Sequence, residues 1–220
     1  MLLAFDTATP AVTVALHDGD TVVAASTTVD AMRHGELLAP GIAAVLAEAG
    51  IVRQDLTAVA VGVGPGPFTG LRVGLVTART LSAVLGIPVY GVCTLDVLAA
   101  EAVEAGSGAA GRSGDLSGGF LVATDARRKE VYLASYDAQG TRLDGPHVSK
   151  PSDAATTRPV VGRGALLYPD AFPVFVAPEN PSAAVLAEVV AQERVELLDP
   201  EPLYLRRPDV AEPGKPKRVT

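Results

Sequence analysis

The chain has 220 residues, 48% of them apolar, a formal net charge of −7 and a single cysteine, Cys93. That length suffices for one domain with a substantial core or for two lobes of roughly 100 residues each. The acidic balance gives no general attraction for phosphate backbones, and one cysteine excludes an intramolecular disulfide and a CxxC zinc or redox site.

The apolar start, Met1 to Phe5, breaks at Asp6, lacks a basic leader and is too short for a signal or membrane segment, so the chain is expected in a reducing cytoplasm, without membrane attachment. Three extended stretches rich in Val, Leu and Thr follow one another: Leu2 to Ala8, Ala11 to His17 and Thr21 to Thr27. Asp18-Gly19-Asp20 is a hairpin turn signal, so an antiparallel meander is expected. From His34 to Ala49 the residues Leu38, Ile42, Val45, Leu46 and Ala49 fall at helical spacing, with Gly50 placed to stop the helix. Pro40 either marks a later start for this helix or kinks it. Leu56 to Val63 reads as a buried strand that runs into the loop Gly62-Val63-Gly64-Pro65-Gly66-Pro67-Phe68-Thr69-Gly70. A second helix carries Leu71, Leu75, Ala78, Leu81 and Leu85 and closes at Gly86 and Pro88. Val89 to Val92 is a short strand, and Thr94 is placed to cap a third, Ala-rich helix ending near Gly106.

Residues 106–119 hold six glycines and three serines, the clearest linker in the chain. Beyond it the opening is echoed. Val122-Ala123-Thr124-Asp125, a turn, and Val131-Tyr132-Leu133-Ala134 repeat the pattern of Leu3-Ala4-Phe5-Asp6 and Val12 to Leu16, which suggests two related lobes. Short strands near Val160 and Val174 and a helix from about Ser182 to Gln192 follow. Arg206, Arg207, Lys215, Lys217 and Arg218, interleaved with Pro and Gly, read as a flexible basic tail. The expected division is 1–105 for the first lobe, 106–119 for the linker, 120–205 for a smaller second lobe and 206–220 for the tail.

Asp6, Thr7 and Thr9 at the end of the first strand offer oxygens that suit a phosphate or a hydrated magnesium ion, and Asp125 could complete the set from the second lobe. The alternative is that Asp6 and Thr9 only cap a tight turn. The loop from Gly64 to Gly70 opens a helix, where an anion is favoured. It lacks a P-loop lysine, however, and Pro65 and Pro67 remove two amides, so a structural turn is equally consistent. His17, His34 and His147 form no metal motif, there is no GxSxG elbow, and Cys93 reads as a small core residue. Glu36, beside Arg33 and His34, suits a helix N-terminus. The two helices also carry Ala39, Gly41, Ala43, Ala44, Gly74 and Ala83, which fit either a close-packed partner surface or a buried core.

Phe5-Asp6-Thr7-Ala8-Thr9, then Arg33-His34-Gly35-Glu36-Leu37-Leu38-Ala39-Pro40-Gly41-Ile42, then Gly64-Pro65-Gly66-Pro67-Phe68-Thr69-Gly70-Leu71-Arg72-Val73-Gly74, then Asp125-Ala126-Arg127-Arg128-Lys129-Glu130-Val131-Tyr132, closely resemble the TsaB family of threonylcarbamoyladenosine biosynthesis proteins in motif and order. The match covers the first 135 residues well and the last 85 only loosely. The resemblance implies an α/β protein of the two-lobe actin-like ATPase (RNase H-like) fold, with a mixed sheet flanked by helices in each lobe. It implies a non-catalytic scaffold that binds and stabilises a TsaD-type catalytic subunit for threonylcarbamoylation of adenosine in tRNAs reading ANN codons. A TsaE-type auxiliary ATPase is a further partner, tRNA is met indirectly, and the isolated chain is expected to form a homodimer. Where the catalytic paralogue carries HxxxH, this chain has Thr94 and Leu98, which cannot replace two imidazoles. No cofactor or metal is assigned to the isolated chain, and any contact with ATP or ADP is expected only in the assembled complex. The partner face is expected on the two helices, at Leu38, Ile42, Val45, Leu71, Gly74, Leu75 and Ala78. The rival function is a stand-alone ATP-dependent small-molecule kinase using Asp6 and Asp125; a zinc peptidase is the third.

Overall fold

A computed structural model describes residues 1–108 and 115–206; residues 109–114 of the expected linker and all but the first residue of the expected tail lie outside them. Two sheets of five strands form the frame. In the first, β1 (Leu2–Asp6) pairs antiparallel with β2 (Ala11–His17), which pairs antiparallel with β3 (Val22–Val29); on its other edge β1 pairs parallel with β4 (Ala58–Gly62), and β4 with β5 (Val89–Val92). The order is β3-β2-β1-β4-β5. The second sheet repeats it. β6 (Phe120–Asp125) lies between antiparallel β7 (Val131–Tyr136), which carries β8 (Arg142–Ser149), and parallel β9 (Val160–Val161), which carries β10 (Phe175–Val176). Asp6 and Asp125 therefore end topologically equivalent central strands. This is the two-lobe α/β architecture that the echo of the first hairpin suggests.

β2 is buried along its whole length because helices cover both faces of its sheet. On one side lie α1 (His34–Glu48) and α2 (Phe68–Leu85), against which Leu3, Phe5, Val14 and Leu16 pack. On the other side Ala4 and Ala60 leave room for α5 (Ala183–Ala191), which brings Leu186, Ala187 and Val190. Thr13 fixes the approach, since its Oγ1 accepts the Ala183 N–H at 2.9 Å. Pro40 sits inside α1, exposed, so the carbonyl it leaves without a helical donor faces water.

The helices that close each half are exchanged. α3 (Thr94–Gly108) follows β5 yet packs on the second sheet, where Leu95, Leu98, Ala99 and Ala102 meet Phe120, Val122, Ala134 and Tyr136. α5 follows β10 yet packs on the first. A boundary drawn along the sequence assigns each helix to the sheet it follows rather than the one it covers. The short α4 (Arg163–Leu167) stays with its own sheet, against β6.

α3 and α5 meet at Glu101, whose carboxylate accepts the Ser182 N–H at 3.1 Å. Burial pushes the Glu101 carboxyl up to about 7, helped by the charge of Glu104 and opposed by the Ser182 bond. The folded chain thus holds a proton that the unfolded chain has released, and stability falls as pH rises from about 4.5 to 7. Glu101→Gln keeps the acceptor and loses the charge. We expect it to match the parent at pH 4.5 and exceed it at pH 8 by about 1–2 kcal/mol, discounted for the residue's partial exposure, as urea unfolding at the two pH values will measure.

β8 went unread in the sequence because Gly145 and Pro146 sit inside it; as an edge strand it tolerates a residue without an N–H. After α5 the chain runs back over the first sheet. Leu198 bridges to Gly91, the Leu203 N–H donates to the Val63 carbonyl at 2.9 Å, and Arg206 donates to the Ala126 carbonyl in the second half at 2.9 Å. Among the described residues no helix is long and apolar enough to cross a membrane.

Candidate functional site

The loop after β4 closes onto the end of β1. The Thr7 hydroxyl donates to the Gly70 carbonyl at 2.8 Å and accepts the Gly74 N–H at 3.1 Å. A Cβ on Gly74 would stand 2.6 Å from that hydroxyl, and one on Gly62 would collide with the Asp6 carboxylate. Gly64, Pro65 and Gly66 are buried in the same contact. The glycine and proline positions are thus spent on close approach to the first hairpin.

Asp6 is fully buried. Its Oδ1 accepts the Ala8 N–H at 2.6 Å and its Oδ2 accepts the Thr94 hydroxyl at 2.7 Å. Burial raises its pKa, against the pull of these two bonds and of His34. Thr94, expected as a helix cap, therefore spends its hydroxyl on Asp6. Both positions of the absent metal motif point inward: Thr94 at this bond, Leu98 in the core of the second sheet. Among the described residues no group of three or more His, Cys, Asp or Glu is placed to hold a metal ion.

Thr7, Thr9, His34, Thr69, Gly70 and Asp125 do converge, on a cleft of about 140 Å³ between the two sheets. Asp6 is not among its lining residues. The His34 ring donates from Nε2 to the Thr9 carbonyl at 2.7 Å, tying the start of α1 to the first hairpin. Arg127 and Arg163 line the second half of the cleft, paired with Asp125 at 3.7 Å and with Glu179 respectively. The Thr124 hydroxyl, buried on the same wall, has no partner among the described residues. Ligand pockets for drug-sized molecules run to roughly 300–1,000 Å³; this cleft is smaller and has room for water or a small anion. Thr124 and Arg163 had no signal in the sequence, because only the fold brings them opposite Thr9.

The other motif residues serve the chain itself. Arg33 pairs with Asp30 at 2.7 Å on the surface, and Glu36 is exposed in the first turn of α1. The Phe68 ring stacks on Tyr204 at 5.3 Å under the Arg72 guanidinium at 4.3 Å, which holds the returning C-terminal segment against α2.

The expected partner face is corrected. Leu38, Val45, Leu71, Gly74, Leu75 and Ala78 are buried, and Ile42 packs against the same core, because the most regular apolar stripe of each helix covers the chain's own sheet. What α1 and α2 turn outward is a different set, which includes Ala39, Pro40, Ala43, Ala44 and Ala47 on α1 and Val76, Thr80, Ala83 and Val84 on α2, with Arg72 and Arg79 also exposed on α2. Val76 is 61% and Val84 72% exposed. The two helices are in contact, and most of these outward residues are small.

A second, larger groove of about 510 Å³ lies between α3, the turn from β7 to β8 and residues 194–196. Its charges are satisfied internally, with Arg142 between Asp96 at 3.7 Å and Glu196 at 2.9 Å, and the Tyr136 hydroxyl donating to Asp96 at 2.7 Å.

Comparison with known proteins places these features. Residues 23–163 match the family described as TsaD: tRNA N6-adenosine threonylcarbamoyltransferase. An uncharacterised protein of Mycobacterium tuberculosis is 43% identical over 214 residues, 94% of this chain and 92% of that one. The tRNA threonylcarbamoyladenosine biosynthesis protein TsaB of Bacillus subtilis is 34% identical over 143 residues, which span 65% of this chain and 58% of that protein. Among solved structures, YeaZ from Pseudomonas aeruginosa superposes with a TM-score of 0.74 at 29% identity, covering 92% of this chain and 99% of its own.

Proposed function

This chain belongs to the family described as TsaD: tRNA N6-adenosine threonylcarbamoyltransferase, and from that premise we propose that it serves tRNA threonylcarbamoylation as a non-catalytic subunit, holding a TsaD-type catalytic subunit in its active shape. The observation that supports this role is the outward face of α1 and α2. Alanines at 39, 43 and 47 and the residues Val76, Thr80, Ala83 and Val84 recur at intervals of three and four, leaving shallow ridges into which a second helix pair can pack at close range. Val76 and Val84 are too exposed to contribute to the chain's own core and gain most from being covered. In isolation the same face joins two copies of this chain. A TsaE-type ATPase acts on the assembled pair, and nucleotide is met there.

The geometry of the cleft agrees with a subunit that leaves the chemistry to its partner. Asp6 is withdrawn into internal hydrogen bonds, and the space beside Thr7, Thr9 and Asp125 is a remnant sized for a small anion.

The test is reconstitution. Threonylcarbamoylation of a substrate tRNA is measured with the TsaD-type subunit, the TsaE-type ATPase and the enzyme that forms the carbamoyl adenylate, with and without this chain. Activity is expected only when the chain is present. Equal activity in its absence overturns the assignment.

A further inference from the structure

The turn from β6 to β7 presents three consecutive cations, Arg127, Arg128 and Lys129, all exposed. Each has a left-handed backbone, with φ of 62°, 51° and 61°. Residues with a Cβ enter that region at a cost, and a hairpin turn there is ordinarily made with glycine or asparagine. The strain is held in place from several sides. Ala126 and Glu130 exchange a backbone bond at 3.0 Å, the Arg127 N–H donates to Asp125 Oδ1 at 2.8 Å, and Arg206 grips both the Ala126 carbonyl and the Glu130 carboxylate at 2.9 Å. The carboxylates nearby are thereby engaged: Asp125 by Arg127, Glu130 by Arg206, and Glu179 by Arg163. Lys129 makes no ion pair among the described residues.

A chain of net charge −7 therefore keeps three adjacent cations on a clamped turn at the edge of its cleft, where glycine or asparagine would form the same hairpin with less strain. We propose that the Arg127–Lys129 turn is a contact for the phosphate backbone of the tRNA on which the complex acts. This rests on the function proposed above and goes beyond the expectation that tRNA is met only indirectly. Cations spaced around a left-handed turn reach successive phosphates without reading bases, and the acidic remainder of the surface repels the polyanion and leaves this edge as the point of approach.

The experiment uses the complete complex with the double variant Arg128→Gly, Lys129→Gly, which removes two charges at positions whose backbone glycine accepts freely. The isolated variant is expected to melt no lower than the parent and to bind the catalytic subunit equally well. In the complex the KM for tRNA should rise roughly tenfold with kcat little changed, and the dependence of log KM on log salt should flatten by about 1 per cation removed. The charge-preserving pair Arg128→Lys, Lys129→Arg should restore both. An unchanged KM and salt slope in a complex that assembles normally overturns this contact while leaving the subunit role standing. If the parent chain itself fails to bind or activate the partner, the subunit role falls and this contact falls with it.

Discussion

Replacing Val76 or Ala43 with arginine is expected to leave the isolated chain folded while weakening its association with the catalytic subunit by a factor of at least about 100. Both positions face solvent on the outer side of the helix pair, and arginine is a good helix former, so the fold loses little. In the bound state the same guanidinium would be pressed into an apolar helix contact with no carboxylate arranged for it, a cost of several kcal/mol; about 2.7 kcal/mol already amounts to a hundredfold. Arginine at Gly74 or Ala78 is a different experiment. Ala78 has no exposed surface and Gly74 lies against the Thr7 hydroxyl, so those variants should fail to fold and their loss of binding would carry no information about the interface. Circular dichroism melts alongside co-elution with the partner separate the two cases. Normal co-elution of the Val76→Arg chain would place the interface elsewhere.

Asp6→Ala should cost about 3 kcal/mol of stability, and Asp6→Asn considerably less. The alanine leaves the Ala8 N–H and the Thr94 hydroxyl unpaired inside a buried site, each at about 1–3 kcal/mol, with some relief because the carboxylate no longer has to be desolvated. Asparagine can still accept the Ala8 N–H through its carbonyl oxygen, and its NH₂ can donate to a reoriented Thr94 hydroxyl. Because burial raises the Asp6 pKa, the parent loses stability as pH rises through the interval above the ordinary 3.8, whereas the asparagine variant does not; the difference between them should narrow with increasing pH. Chemical denaturation at pH 4 and pH 8 provides the measurement. A fully stable Asp6→Ala chain would show that the carboxylate is not the pin between β1 and α3 that its two bonds describe.

The opening meander could be read from the sequence because stretches rich in Val, Leu and Thr follow one another and an Asp-Gly-Asp turn joins the second to the third, and the echo at Asp125 could be read because a strand again ends in an aspartate before a turn and a second strand. Both were local patterns with little competition from long-range packing. β8 was missed because Gly145 and Pro146 ordinarily signal a break, and only its position at a sheet edge makes them tolerable. The convergence of Thr9, His34 and Asp125 was partly visible from their places at strand and helix ends, whereas Arg163 and Thr124 join them through a fold the sequence does not display. The orientation of α1 and α2 was misjudged for a physical reason. A strong apolar period shows that a face is covered, but not by what, and here the chain's own sheet covers it. The outward face proposed for the partner is built from alanine and valine, whose weak signal reads as background.

The exchange of α3 and α5 also bears on how the protein is made. As the polypeptide leaves the ribosome, the first sheet can form once β5 has emerged, yet the helix that roofs its alanine-lined side is not synthesised until about ninety residues later. Until then Ala4 and Ala60 are bare, whereas α3 can lie against β6 as soon as that strand has emerged. The second half can therefore close its roof first, and the nascent chain passes through a late step in which α5 returns to cover the first sheet.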